Sequence, residues 1–251
     1  MDKLLLRIYR LLLETYGPQH WWPGDGPFEV IVGAILTQNT AWPNVVKAIE
    51  NLKAKQMLEP DKIYHLPLST LAPLIRSSGF YKLKARRLKS FVKFFMERYE
   101  GKIDNLKKEK GEKLRKELLA IKGIGPETAD SILLYALQKP FFVIDAYTRR
   151  IFSRHHFFLP ASSYQEMQNF FMHYLPKDVQ LFNEYHALIV KLAKVRCYKK
   201  NPNCSGCPLE GITPKNKKSQ SRAPVYQRTK TQNIRESGYR EKSLSRCGCL
   251  K

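Results

Sequence analysis

The first 196 residues of this 251-residue chain contain no cysteine. All five thiols lie in the last quarter, at Cys197, Cys204, Cys207, Cys247 and Cys249. An odd, clustered set argues against a disulfide framework and for a metal or cluster site. Acidic residues are also scarce: 22 Asp and Glu stand against 44 Lys and Arg, a formal net charge of +22. Such an excess attracts polyanions, nucleic acid above all, through counterion release and a long-range field. No apolar run is long enough to span a bilayer and no secretory signal pattern is present, which sets the membrane aside as partner. The expected setting is the cytoplasm of a prokaryote, close to the nucleoid, or the nucleus of a eukaryote. Strand signals are weak too, since only the short run FFVI before Asp145 reads as extended and it has no partner run.

What remains is helical nearly throughout. Asp2, Lys3, Arg7, Arg10 and Glu14 break the leucine-rich start at helical spacing, giving an amphipathic first helix. The apolar segment Phe28–Gln38 suits a buried helix. Asn44–Ala54 carries Val45, Val46, Ile49 and Leu52 on one face, with Pro43 suited to a first helical turn. Lys82–Tyr99 alternates a basic face with one of leucine and phenylalanine. Glu112–Ile121, Glu127–Leu137, Ala146–Phe152, Tyr164–Tyr174 and Val179–Val195 complete the set. From Pro214 onward, eleven Lys and Arg and two Glu stand among few large apolar residues. That composition predicts a disordered basic tail, a DNA-tethering arm or a plain solubilising terminus.

The stretch Leu118–Arg150 concentrates the chemistry. In IKGIG, Gly123 and Gly125 permit a tight turn with close backbone approach, while Ile121 and Ile124 pin it to the core. Its amides and the helix that starts near Pro126 form an anion site suited to a DNA phosphate, with Lys122 adding charge. The plainer alternative is an ordinary helix–helix turn. Asp145 ends the apolar run FFVI, where it can cap the next helix and present a carboxylate shielded on one side. Trp21, Trp22 and Trp42 offer aromatic faces for stacking a base, a cationic one best, although tryptophans are core residues more often than not. His20, His155, His156, His173 and His186 show no ligand spacing and read as structural.

The order IKGIGPETADSI, VIDAYTRRI and a cysteine loop resembles the endonuclease III branch of the helix-hairpin-helix DNA glycosylases. ILTQNTAWPNVVKAI and SGFYKLKARRLKSF match that family's earlier helices, so the resemblance runs from about Phe28 to Leu209. It implies an all-α fold: a six-helix barrel over 25–140, with the helix-hairpin-helix at about 112–137. A second helical domain would be built from 1–24 and 141–213. It implies a monomer that bends double-stranded DNA, flips a damaged base into the cleft and cuts the glycosidic bond. Asp145 falls on the family's catalytic aspartate, which stabilises an oxocarbenium-like sugar and orients or deprotonates the nucleophile. Trp21, Trp22, Trp42 and Gln38 fall where the base pocket lies. Lys122, Gly123, Gly125, Arg149 and Lys194 are the expected DNA contacts.

Two positions set this chain apart. Bifunctional members carry a lysine just before the TA of GxxTA, which forms a Schiff base and leads to strand cleavage. Glu127 stands there instead, and a carboxylate cannot form an imine, so base release by water is expected with lyase activity absent or weak. Glu127, Asp145 and the tryptophans together resemble the 3-methyladenine type, whose positively charged alkylated purines leave readily. The alternatives are a glycosylase/lyase for oxidised pyrimidines or mismatched bases, and a DNA-binding protein without catalysis. The second position is Thr213. Cys197, Cys204 and Cys207 match the start of the family's four-cysteine [4Fe–4S] loop, but Thr213 stands where its fourth cysteine belongs. Either Cys247 or Cys249 returns from the tail, a non-cysteine ligand completes the set, zinc binds instead, or the cluster is labile or lost.

Overall fold

A computed structural model describes residues 1–21 and 24–214. It is all helix, and no strand occurs among the described residues. Among the described residues twelve α-helices run in order: α1 Asp2–Tyr16, α2 Pro27–Leu36, α3 Trp42–Ala54, α4 Pro60–His65, α5 Leu68–Leu74, α6 Tyr81–Tyr99, α7 Ile103–Lys108, α8 Gly111–Ala120, α9 Pro126–Ser131, α10 Ala146–Arg154, α11 Tyr164–Tyr174 and α12 Val179–Val195. A 3₁₀ turn, Arg76–Ser78, precedes α6, and a π-helical turn, Ile132–Ala136, follows α9.

The apolar helix α2 is central, as its sequence demands. Val30, Ile31, Val32, Gly33, Ile35 and Leu36 are all buried, against α3, α6, α9 and the π turn. Gly33 lets the Trp42 ring come within van der Waals reach of the α2 backbone, joining α3 to α2. Beneath the end of α2 lies Lys84, a lysine only 1% exposed. Its ammonium donates to the carbonyls of Leu36, at 2.7 Å, and Ser78. It thus satisfies an orphan carbonyl of the last turn of α2. Burial, with Arg87 nearby, lowers its pKa to about 8.

The first and last of these helices meet. α1 packs on α12, where Tyr185 Oη donates to the Leu5 carbonyl at 2.9 Å. Behind them the rings of Phe142 and Phe171 stack at 4.2 Å, with Phe152, Phe182 and Tyr185 set edge-on around them. This aromatic core lies directly under the run that leads to Asp145.

Three short helices, α4, α5 and α7, were not among the sequence expectations, being too brief for a clear 3.6-residue period. The helix expected over Glu127–Leu137 is also not one α-helix. It changes to a π turn after Ser131, and such turns recur at functional sites. Here the wider turn carries Tyr135, whose hydroxyl meets His186 on α12. The FFVI run forms neither helix nor strand, and it has no ladder among the described residues. Its backbone groups are taken by side chains of α11 instead: Phe142 N–H by Met172 Sδ, Phe142 O by Gln168, and Ile144 N–H by Tyr164 Oη.

Candidate active site

The site forms where three elements meet: the start of α9, the N-terminus of α10 and the middle of α12. Asp145 is the N-cap of α10, and its Oδ1 accepts from the Thr148 N–H at 2.7 Å. That bond satisfies an orphan donor of the helix and fixes the carboxylate's orientation. Its second oxygen, Oδ2, lies 3.4 Å from His186 Nε2. Burial alone would raise the Asp145 pKa, but the charge and contact of His186, together with Thr148, bring it below the ordinary carboxylate value. Asp145 is therefore ionised at neutral pH.

His186 is the residue the sequence reading passed over. It is 4% exposed, and its Nδ1 meets Tyr135 Oη at 2.6 Å. Burial, then the negative charges of Asp145 and Glu127, hold the Tyr135 hydroxyl well above its usual pKa, so it stays protonated. Its Nε2 faces the Asp145 carboxylate, so that nitrogen carries a proton. Trp21 stacks on this imidazole, with centroids 5.5 Å apart and an interplanar angle of 23°, and tilts against Tyr135 at 5.4 Å. Trp21, Tyr135 and His186 thus make one aromatic cluster beside Asp145.

Glu127 lies in the first turn of α9. Its side chain is open to water, yet the surrounding protein partly desolvates the carboxyl. That desolvation, then the negative charge of Asp145, lifts its pKa to about 7, while His186 and Arg149 pull the other way. Two carboxylates, an imidazole and an indole are brought together from four separate parts of the chain.

The hairpin stands beside them. Gly123 has φ +93°, a conformation that side chains rarely adopt, and a Cβ there would strike Arg87 at 2.5 Å. Gly125 is the N-cap of α9 and faces open space. Lys122 is exposed. Gln38 braces this turn: its amide donates to Gly123 O and Thr128 Oγ1, both at 3.0 Å, and accepts from Arg87. Its side chain is thus committed to the hairpin, where the sequence reading had it in the base pocket. Trp42 packs against α2. Arg149 donates to the Ser162 carbonyl, and Lys194 is exposed on the last turn of α12. Trp22 lies outside the described residues, as do Cys247, Cys249 and the basic tail from residue 215.

A second residue missed in the sequence is Phe80. Its side chain is 72% exposed and its backbone is left-handed, φ +46°. It caps α6 seven residues before Arg87, about two turns or roughly 10 Å along the same face. The only sequence signal was a Gly-Phe pair ahead of a basic helix. Two surface hollows lie apart from the carboxylates. One of about 310 Å³ lies between α5 and α6, and one of about 560 Å³, reaching Lys93, Arg98 and Lys122, lies beside the hairpin.

The cysteine loop folds against α10. Arg154 donates to Cys197 Sγ at 3.2 Å and to the carbonyls of Tyr198 and Lys199 at 2.7 and 2.9 Å. Arg150 holds the Cys197 carbonyl at 2.9 Å, and His155 bonds the Ile212 carbonyl at 2.8 Å. Among the described residues no group of three or more His, Cys, Asp or Glu is placed to hold a metal. Cys197 is engaged by a guanidinium, and Thr213 offers no thiolate. The described residues therefore do not fit a four-cysteine cluster.

The pattern defining the HhH-GPD superfamily of base excision DNA repair proteins matches residues 32–177. The chain belongs to that superfamily. It is 49% identical over 209 residues to "Putative DNA repair glycosylase MJ1434" of Methanocaldococcus jannaschii, covering 83% of this chain and 94% of the relative. Endonuclease III of Sulfolobus acidocaldarius is 30% identical over 72% of this chain and 79% of its own. Among solved structures, the H. pylori 3-methyladenine DNA glycosylase MagIII, bound to 1,N6-ethenoadenine, superposes with a TM-score of 0.66 at 32% identity, covering 77% and 96% of the two chains. A trapped endonuclease III–DNA covalent intermediate gives 0.73 at 22% identity over 84% and 95%, a likeness of fold. This HhH-GPD protein is thus an all-helical DNA repair glycosylase that acts on DNA. No helix among the described residues is long and apolar enough to cross a membrane.

Proposed function

We propose that this protein is a monofunctional glycosylase that releases alkylated purines such as 3-methyladenine and leaves the DNA strand intact. The observation that carries it is the pairing of an ionised Asp145 with a carboxylate, Glu127, at the position where a Schiff-base mechanism needs an amine. The likeness to MagIII supports the substrate class.

In this reading the protein acts as a monomer with a cleft between a barrel over 25–140 and a second unit from 1–24 and 141–213. Lys122, Gly123 and Gly125 grip a backbone phosphate through amides and charge. Phe80 enters the stack where the base has left, since an exposed aromatic on a strained turn has little else to pack on. The flipped base stacks on Trp21, and Glu127, once ionised, favours a positively charged ring. Asp145 stabilises the positive charge growing on the sugar and takes the proton of the attacking water. The water oxygen bonds to C1′ as the bond from C1′ to the base nitrogen breaks. Its electron pair leaves with the base, so a cationic alkylated purine departs neutral. His186, itself held by Tyr135, keeps the Asp145 carboxylate ionised and aimed.

The test is a panel of duplexes bearing 3-methyladenine, 1,N6-ethenoadenine, an oxidised pyrimidine and a mismatch, scored separately for base release and strand scission. Release of alkylated purines with an unbroken strand is expected. A covalent complex trapped by borohydride, or preference for the oxidised pyrimidine, would overturn the proposal in favour of a glycosylase/lyase.

A further inference from the structure

Between the hairpin and the catalytic carboxylate lies a buried charge that the chemistry above does not use. Asp130, on the turn of α9 after Glu127, is 0% exposed. Four donors converge on its carboxylate. Arg115 of α8 reaches it through Nε at 2.6 Å and Nη2 at 3.0 Å. Tyr164 Oη and Gln168 Nε2 of α11 reach it at 2.8 and 2.7 Å. A buried ion pair of this kind is seldom more stabilising than well-packed apolar residues, so its presence asks for another reason.

The reason lies in what the same side chains do with their remaining valences. Gln168 Nε2 also donates to the Phe142 carbonyl at 2.9 Å, and Tyr164 Oη accepts from the Ile144 N–H at 3.4 Å. Among the described residues, 141–144 have no strand partner, so these contacts stand in for a ladder in orienting the run that delivers Asp145. Asp130 is also on the helix that the hairpin opens, with its ion-pair partner on the helix before the hairpin. One carboxylate thereby joins both hairpin helices, α11 and the backbone entering the active site.

We propose that Asp130 is a positioning residue for Asp145, tying the seating of the hairpin on DNA to the placement of the catalytic carboxylate. This rests on the reading of Asp145 as catalytic. A carboxylate moved by about 1 Å forfeits much of its effect on a transition state, on the order of a hundredfold in rate. Asp145 is surrounded by Glu127 from α9, Tyr135 from the π turn, Arg149 and Thr148 from α10 and His186 from α12. Its balance between burial and the contacts of His186 and Thr148 holds only in its present position.

The experiment uses the full chain with Tyr164→Phe, which deletes one oxygen and keeps the Arg115–Asp130 pair, and with Asp130→Asn. For Tyr164→Phe the single-turnover rate of base release should fall by about tenfold. Affinity for a duplex with an uncleavable lesion analogue should stay within about twofold. The acidic limb of the rate–pH profile should move to higher pH as Asp145 loses the contacts that lower its pKa. Asp130→Asn should act in the same direction and more strongly. If Asp130→Asn fails to fold, Tyr164→Phe alone decides. A lowered Tm with unchanged rate and unmoved acidic limb in Tyr164→Phe would overturn the inference, because that is what a purely structural network gives. Asp145→Asn is the control: if it leaves base release untouched, the functional reading itself falls, whereas an inactive Asp145→Asn beside a normal Tyr164→Phe removes only the positioning role.

Discussion

Two carboxylates approach each other in this site and are driven in opposite directions. Asp145 is the more enclosed, yet its pKa is lowered. Glu127 is open to water, yet its pKa rises to about 7. The difference lies in partners. Asp145 caps a helix and faces His186, so its charged form is bonded. Glu127 has desolvation and a like charge beside it, and only distant help from His186 and Arg149. Exposure alone would have ranked them the wrong way round; hydrogen bonding to the charged form decides. One carboxylate is thus anionic at neutral pH and the other is poised to change charge near neutrality.

The largest test of that contrast is Asp145→Asn. The side chain keeps its size but loses its charge and its ability to take a proton, so base release should fall by about 10³-fold. Binding to an uncleavable lesion duplex should persist, as measured by titration. Next comes His186→Ala, which removes the imidazole that keeps Asp145 ionised. A bond to a charged group contributes about 1.5–3 kcal/mol, so the rate should drop by about 10- to 100-fold. Single-turnover kinetics across pH 4–7 would show the acidic limb displaced upward in this variant, since Asp145 loses the first of the influences that lower its pKa. An unmoved limb would mean that Thr148 alone controls the carboxylate. Third is Phe80→Ala, expected to weaken specific lesion binding by about tenfold, comparable to the loss of one stacking contact. Melting should be nearly unaffected, because the ring is exposed.

The sequence carried the helical class, the hairpin and the capping place of Asp145 because each has a local signature: apolar residues at helical spacing, a Gly-x-Gly turn, an acidic residue between an apolar run and a helix. It did not carry His186. A histidine in the middle of an apolar helix has no local mark, and only the packing of α12 across the π turn brings it to Asp145 and Tyr135. Gln38 illustrates the converse. The sequence pointed it at the base pocket, whereas its bonds to Gly123, Thr128 and Arg87 depend on distances between α2, α6 and α9. The Asp130 network was equally silent, since TADSI reads as ordinary helix until α8 and α11 are laid beside it. In the cysteine loop the spacing of three thiols was plain, while the grip of Arg154 on Cys197 comes from the far end of α10. Pairings between distant helices are what a single sequence does not display.

The smallest effect separates the two carboxylates most finely. Glu127→Gln mimics the protonated glutamate in size and hydrogen bonding. Below pH 7 the wild-type side chain is largely neutral, so variant and wild type should release an alkylated purine at similar rates. Above pH 7 the wild type gains a negative charge beside the base, and a cationic substrate should be processed faster by about fivefold, a little under 1 kcal/mol in a partly hydrated site. The variant should show no such rise. Stability runs the other way. A carboxyl whose pKa is raised on folding contributes most below its unfolded pKa and loses that contribution as pH climbs through about 7. Wild-type melting temperature should therefore decline between about pH 4.5 and 7 relative to Glu127→Gln, and only modestly, because water reaches the group. A stability that falls on the approach to pH 7 and a rate that rises through it would place the charge of Glu127 on the substrate. If the rate rise survives in Glu127→Gln, another group titrates there and the division of labour between the two carboxylates is wrong.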